Sequence, residues 1–188
     1  MAIINHDVER VKQWIESDKD VLRRLVTSSG GWTPMHAACF YNDAEILKCM
    51  LEADVNRITI WEYFTRRYWQ SSPYNSMTAF GWSPIFYATS YEVVELMLQF
   101  RAKLRDQFNG KFEDLNVVSK QGTPLLWEFA GRGILNETIV QHLIDQISIG
   151  FNGILPVENA LQNRHTEACI QGGNSIEIWN IVKFDLHS

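Results

Sequence analysis

No stretch of the 188-residue sequence approaches the roughly 20 consecutive apolar residues that span a bilayer, so no membrane-spanning segment is expected. Positive charge is also in short supply. Seventeen Lys and Arg stand against 22 Asp and Glu, for a formal net charge of −5. That balance argues against a general affinity for nucleic acid or an anionic membrane. There are three cysteines, Cys39, Cys49 and Cys169, an odd count without CxxC spacing. They read as reduced thiols in a cytosol-like compartment. The opening Met1-Ala2-Ile3-Ile4-Asn5-His6-Asp7 has neither a basic region nor a long apolar one, so no secretory leader is expected. A protein that a bacterium injects into a host cell would look the same. Also missing are a nucleophile elbow, a phosphate-binding glycine loop, a zincin helix and a paired-carboxylate motif. No catalytic residue, cofactor or metal ligand is nominated.

What is present is globular in balance, with 46% hydrophobic and 21% charged residues, and the length suits one domain with a substantial core. Proline occurs only five times, and its placement is the main signal. In Gly31-Trp32-Thr33-Pro34-Met35-His36-Ala37-Ala38 a glycine suits a tight turn, because it accepts positive φ without a Cβ clash. Thr33 then stands where a helix N-cap belongs. Pro34 follows at the first helical position, where its missing N–H costs nothing and its φ is already helical. Small Ala37 and Ala38 let that helix approach a neighbour closely.

The pattern recurs as Gly81-Trp82-Ser83-Pro84-Ile85-Phe86-Tyr87-Ala88, again as Gly122-Thr123-Pro124-Leu125-Leu126, and more weakly as Leu155-Pro156-Val157-Glu158-Asn159-Ala160-Leu161. Each copy precedes a stretch with a helical apolar stripe. Ile46, Leu47, Met50 and Leu51 carry the first, and Tyr91-Glu92-Val93-Val94-Glu95-Leu96-Met97-Leu98 is the second. Residues 137–144 and 175–182 follow the later copies. Near the start, Val8, Val11, Trp14 and Ile15 form another stripe, with Asp7 as its cap.

The run Thr33-Pro34-Met35-His36-Ala37-Ala38, with its hydroxyl–proline echoes, resembles the Thr-Pro-Leu-His-x-Ala signature of the ankyrin repeat, whose period is about 33 residues. The resemblance implies an all-α, ankyrin-type helical solenoid with projecting β-turns or hairpins. It implies one domain over 1–188, with a divergent first repeat at about 5–28 and repeats starting near 30, 80, 121 and 154. The spacing departs from the period. Pro34 to Pro84 spans 50 positions, Pro84 to Pro124 spans 40 and Pro124 to Pro156 spans 32. Residues 57–80 are therefore read as an insertion, and a smaller surplus falls near 105–120. Asn42 stands between the first helix pair where the family usually carries glycine. Asparagine tolerates the left-handed conformation better than other non-glycine residues. In the family, the histidine corresponding to His36 bonds the Thr of its own turn and the backbone of an adjacent repeat, so His36 is read as framework. Phe86 and Leu126 stand at its position in the next two copies.

Two features are left over once the framework is assigned. Trp32 and Trp82 fill the variable position between glycine and hydroxyl, which in the family projects toward the partner-binding surface. The stretch Ile60-Trp61-Glu62-Tyr63-Phe64-Thr65-Arg66-Arg67-Tyr68-Trp69-Gln70 packs five aromatics and two arginines into the insertion. Trp, Tyr and Arg are enriched at interface hot spots because they join large area to directional polar groups. Trp32, Trp82, Trp61, Tyr63, Arg66, Arg67, Tyr68 and Trp69 are thus the candidate partner-binding residues. Packing of the insertion on the repeats, or stacking of the two tryptophans on it, is the structural alternative.

The expected function is recognition of another protein by a cytoplasmic scaffold, monomeric apart from its partner and not an enzyme. A bacterial effector working in the host cytosol and a regulatory inhibitor that covers a target enzyme are the alternatives. An enzyme with a cryptic site would need His165 and Cys169, four residues apart, to meet a third orienting group and an oxyanion site.

Overall fold

The computed structural model describes residues 2–18, 20–24, 26, 30–56, 76–78, 81–107, 119, 121–143, 152–154 and 159. The backbone divides into two compact units, Met1–Asn116 and Val117–Ser188.

In the first unit, α1 (Val8–Ser17) starts where Asp7 accepts from the Arg10 N–H through its side chain. Val11 and Ile15 are buried, whereas Trp14, which its spacing places on the same stripe, is 37% exposed. The helix stops at Asp18, whose backbone is extended. A single 3₁₀ turn, Val21–Arg23, buries Leu22 and leads to the first of the glycine turns.

That turn closes with the Val26 N–H on the Trp32 carbonyl at 2.6 Å, Gly31 being at φ 67°. Thr33 is the N-cap of α2 (Pro34–Phe40) and Pro34 its first residue, as the sequence requires. Met35, His36, Ala37, Ala38 and Cys39 are all buried, because α2 packs against α3, against the 3₁₀ turn Val21–Arg23 and against a second 3₁₀ turn, Pro84–Tyr87. Small Ala37 and Ala38 are what allow contact on so many sides. The joint to α3 (Ala44–Asn56) passes through Asn42 at φ 54°. Asp43 then caps α3 by accepting from the Ile46 N–H at 3.0 Å.

Asn42 does more than tolerate the left-handed conformation. Its Oδ1 accepts from the N–H groups of Thr89 and Ser90, at 3.0 and 2.9 Å, and its Nδ2 donates to Thr89 Oγ1 at 2.7 Å. A glycine could relieve the backbone but could make none of these bonds. The first repeat is therefore pinned to the joint of the second.

Ile46, Leu47, Met50 and Leu51 of α3 are fully buried, as their spacing predicts. Each such burial is worth about 1.5–3 kcal/mol. The second repeat is asymmetric. Its first element is only the four-residue 3₁₀ turn Pro84–Tyr87, since just Ala88, Thr89 and Ser90 separate it from α4 (Tyr91–Gln107). Ser90 supports that start, with the Val93 N–H on its Oγ at 3.4 Å. α4 is longer than the apolar stripe alone implies. No glycine or proline interrupts the sequence until Gly110, so the helix runs on through good helix formers. It thus takes in the start of the surplus near 105–120.

The second unit begins from the turn Ser119–Thr123 and continues into α5 (Leu125–Arg132), which Gly133 ends at φ 72°. Asn136 caps α6 (Glu137–His142) by accepting from the Ile139 N–H at 2.9 Å. Here the register differs from the sequence expectation by one residue. The Ser119 N–H bonds the Thr123 carbonyl at 2.9 Å, as the Thr78 N–H bonds the Trp82 carbonyl at 3.0 Å. Thr123 therefore fills the tryptophan slot and Pro124 becomes the N-cap, with extended φ and ψ. The cause is a missing residue between Gly122 and the hydroxyl, which hydroxyl–proline alignment cannot detect. The fourth copy shares the turn glycine, since Gly153 sits at φ 77° directly before Ile154.

Candidate functional site

The site is built on the glycine turns and the element that follows each. Trp32 lies one residue before the cap of α2, Phe40 ends α2, and Tyr87 ends the 3₁₀ turn of the next repeat. Their rings meet. Trp32 stands 4.8 Å from Tyr87 and 5.2 Å from Phe40 between centroids, at tilted and edge-on angles of 59° and 64°. Tyr87 is also 5.6 Å from Trp82, and Phe40 is 5.3 Å from Tyr41. Inclined rings put the positive edge of one on the negative face of another. The result is a continuous row: Tyr41, Phe40, Trp32, Tyr87, Trp82.

Burial is graded along this row. Trp32, Tyr87 and Trp82 are half-buried, whereas Phe40 and Tyr41 are 49% and 47% exposed. The inner members are held from below. The Tyr87 hydroxyl donates to Thr78 Oγ1 at 3.1 Å. His36 Nε2 donates to the Trp82 carbonyl at 3.2 Å, while its Nδ1 accepts from the Thr33 N–H at 3.1 Å and lies 2.9 Å from Thr33 Oγ1. Those roles require a neutral imidazole. Burial pushes the His36 pKa down to about 4, outweighing the raising effect of the Trp82 and Ser76 carbonyls.

The two tryptophans thus come together through Tyr87, a residue the motif analysis left unused. Phe40 and Tyr41 were passed over as well. The usable signal is an uninterrupted aromatic pair at the end of a short helix whose other residues are all small or framework. Trp61, Tyr63, Arg66, Arg67, Tyr68 and Trp69 lie outside the described residues, as do His165 and Cys169. The insertion's return end is placed. Ser76 Oγ is 3.4 Å from Thr33 Oγ1, beside the Trp32 turn.

Elsewhere a groove of about 540 Å³ runs between α3 and α4, with Glu45, Glu92 and Glu95 opposite one ammonium, Lys48. Cys39 is fully buried and its thiol pKa is raised by that burial; Cys49 is half-buried and is raised for the same reason, against a lowering by Lys12. Among the described residues no group of three or more His, Cys, Asp or Glu side chains could hold a metal ion. Nor is any described helix long and apolar enough to cross a membrane.

The histidine bond from one turn to the next repeat's turn carbonyl is the deciding framework feature. A family model described as ankyrin repeats in three copies matches residues 1–107. The chain belongs to the ankyrin repeat family. The fold is accordingly all-α and of ankyrin type. Ankyrin repeats generally mediate protein–protein interaction and are typically non-enzymatic scaffolds. No curated protein matches the sequence. Within the ankyrin framework, the His36 slot is filled by Phe86 in the next repeat and, after the register shift, by Trp127 rather than Leu126. Trp127 Nε1 donates to the Ile154 carbonyl at 2.9 Å, replacing the histidine bond with an indole one.

Proposed function

We propose that this chain recognises a partner protein through the aromatic row, with Phe40 and Tyr41 as the exposed contact edge and Trp32, Tyr87 and Trp82 as its rigid support. The observation that carries the reading is the graded burial. Exposed rings backed by interlocked, hydrogen-bonded ones present apolar area that loses little side-chain entropy on binding. The aromatic–arginine stretch with Trp61, Tyr63, Arg66, Arg67, Tyr68 and Trp69 is the second proposed contact element. Its return end at Ser76 lies beside the Trp32 turn.

Repeat starts near 30, 80, 121 and 154 are part of the same proposal. They are supported by positive-φ glycines at 31, 81, 122 and 153. Three cysteines, an odd count without CxxC spacing, suit a reducing, cytosol-like compartment, whether the cell's own or a host's.

Affinity capture from the native cell tests the reading. Phe40→Ser with Tyr41→Ser should cut recovery of the partner at least tenfold with folding intact. Trp14→Ser, an exposed aromatic on α1, should leave it unchanged. Undiminished capture by the folded double variant would overturn the role of this face. Joint alanine substitution of Trp61, Arg67 and Trp69 tests the second element in the same assay. An inhibitor would use the same surface, and it is recognised by assaying the captured partner's own activity with and without the chain.

A further inference from the structure

Four glycine turns precede a repeat start, and one differs chemically from the other three. Gly31 follows Gly30, Gly81 follows Phe80 and Gly122 follows Gln121, but Gly153 follows Asn152. Asn152 and Gly153 are both exposed, at φ 54° and 77°. A Cβ on Gly153 would meet nothing within 4 Å, so the space beside its Cα is open and the turn is not packed against a neighbour there. Glycine also lets the intervening peptide rotate at little steric cost. We propose that the Asn152–Gly153 turn is a self-modification site, where Asn152 converts without an enzyme to aspartate and isoaspartate.

The step balances with water alone. Hydroxide removes the Gly153 amide proton, and the nitrogen attacks Asn152 Cγ. A carbon–nitrogen bond forms, the side-chain carbon–nitrogen bond breaks, and ammonia leaves after taking a proton from water. The five-membered imide then opens by addition of water. Cleavage at Cγ leaves aspartate with the main chain unchanged. Cleavage at the main-chain carbonyl leaves isoaspartate, with the chain now running through Cβ and Cγ.

The consequence depends on Ile154, the next residue, whose carbonyl accepts the Trp127 indole N–H at 2.9 Å. Isoaspartate adds one carbon to the main chain just before this acceptor and displaces it. Aspartate adds charge on an exposed turn and leaves the acceptor in place. The two products therefore differ in their effect on the bond that replaces the histidine link.

The test is ageing of the full chain in alkaline buffer, followed by peptide mapping with electron-based fragmentation. The Trp127 indole resonance, assigned by triple-resonance NMR, is tracked in parallel. The expected result is loss of the Asn152 amide, with isoaspartate the larger product. A second Trp127 indole peak should grow in proportion to the isoaspartate fraction. Asn152→Asp should keep the original indole peak, and Asn152→Gln, which would have to close a larger ring, should suppress the conversion. An Asn152 that stays intact while the urea-unfolded chain converts at this position would overturn the site. Conversion that leaves the Trp127 peak unmoved would overturn the coupling.

Discussion

Trp127 donates its indole N–H to the Ile154 carbonyl at 2.9 Å, and His36 donates its imidazole Nε2–H to the Trp82 carbonyl at 3.2 Å. Both acceptors directly follow a positive-φ glycine, Gly153 or Gly81. Two unlike rings thus link a repeat to the turn of the next. Trp127→Phe keeps most of the apolar area and removes the donor. It should destabilise the second unit by about 1 kcal/mol, the usual worth of such a bond, seen as a lower urea midpoint. An unchanged midpoint would show that the bond contributes nothing net.

His36 supplies a pH dependence. Its folded pKa of about 4 lies below the ordinary 6.5, so the unfolded chain binds the extra proton first. The contribution is fully present above pH 6.5 and is lost as pH falls toward 4. The gap corresponds to roughly 3 kcal/mol. Urea titrations at neutral and acidic pH should show this loss in the wild type and a shallower one in His36→Gln. Equal slopes would remove His36 as the source.

His6 acts with the opposite sign. Its Nδ1 lies 2.6 Å from Asp43 Oδ2, and Glu45 is 3.8 Å from its Nε2. The hydrogen bond to Asp43 and the charges of Asp43 and Glu45 raise its pKa above 6.5. Its stabilising effect is complete below pH 6.5 and is lost as pH rises through the raised value. Amide exchange in residues 2–7, which this contact ties to the α2–α3 joint, should therefore quicken at alkaline pH beyond the intrinsic base-catalysed rate. His6→Gln should abolish that excess.

Asn42 offers a choice between backbone strain and side-chain bonds. Asn42→Gly removes the cost of φ 54° but loses three hydrogen bonds, and Asn42→Ala loses the bonds while keeping the strain. The expected order of thermal stability is wild type, then glycine, then alanine. The alanine variant should be weaker by about 1–3 kcal/mol. A glycine variant above the wild type would mean that the strain outweighs the bonds.

Gly131 meets a tighter constraint. A Cβ there would come within 2.4 Å of Asn159 Nδ2, which itself donates to the Trp127 carbonyl at 2.8 Å. Gly131→Ala should cost about 1–3 kcal/mol by overpacking. Adding Asn159→Ala should recover part of that loss in a double-mutant cycle, and strict additivity would refute the clash.

Much of the architecture was legible because it rests on local chemistry. Gly31, Thr33 and Pro34 specify turn, cap and helix start within four residues. The stripe Ile46, Leu47, Met50 and Leu51 specifies which side of α3 is buried. Asn42 was readable as a left-handed joint for the same reason, since the allowed φ range belongs to the residue itself. What only the tertiary structure decided are pairings between repeats, which no local rule encodes. A one-residue deletion in the third glycine turn moves Pro124 into the cap and Trp127 into the histidine slot. That shift shows only in which carbonyl receives the Ser119 and indole N–H groups. Likewise Trp32 and Trp82, 50 positions apart in sequence, share a row because Tyr87 packs between them. Sequence determined the repeating unit; long-range packing determined which side chains the repeats hold together.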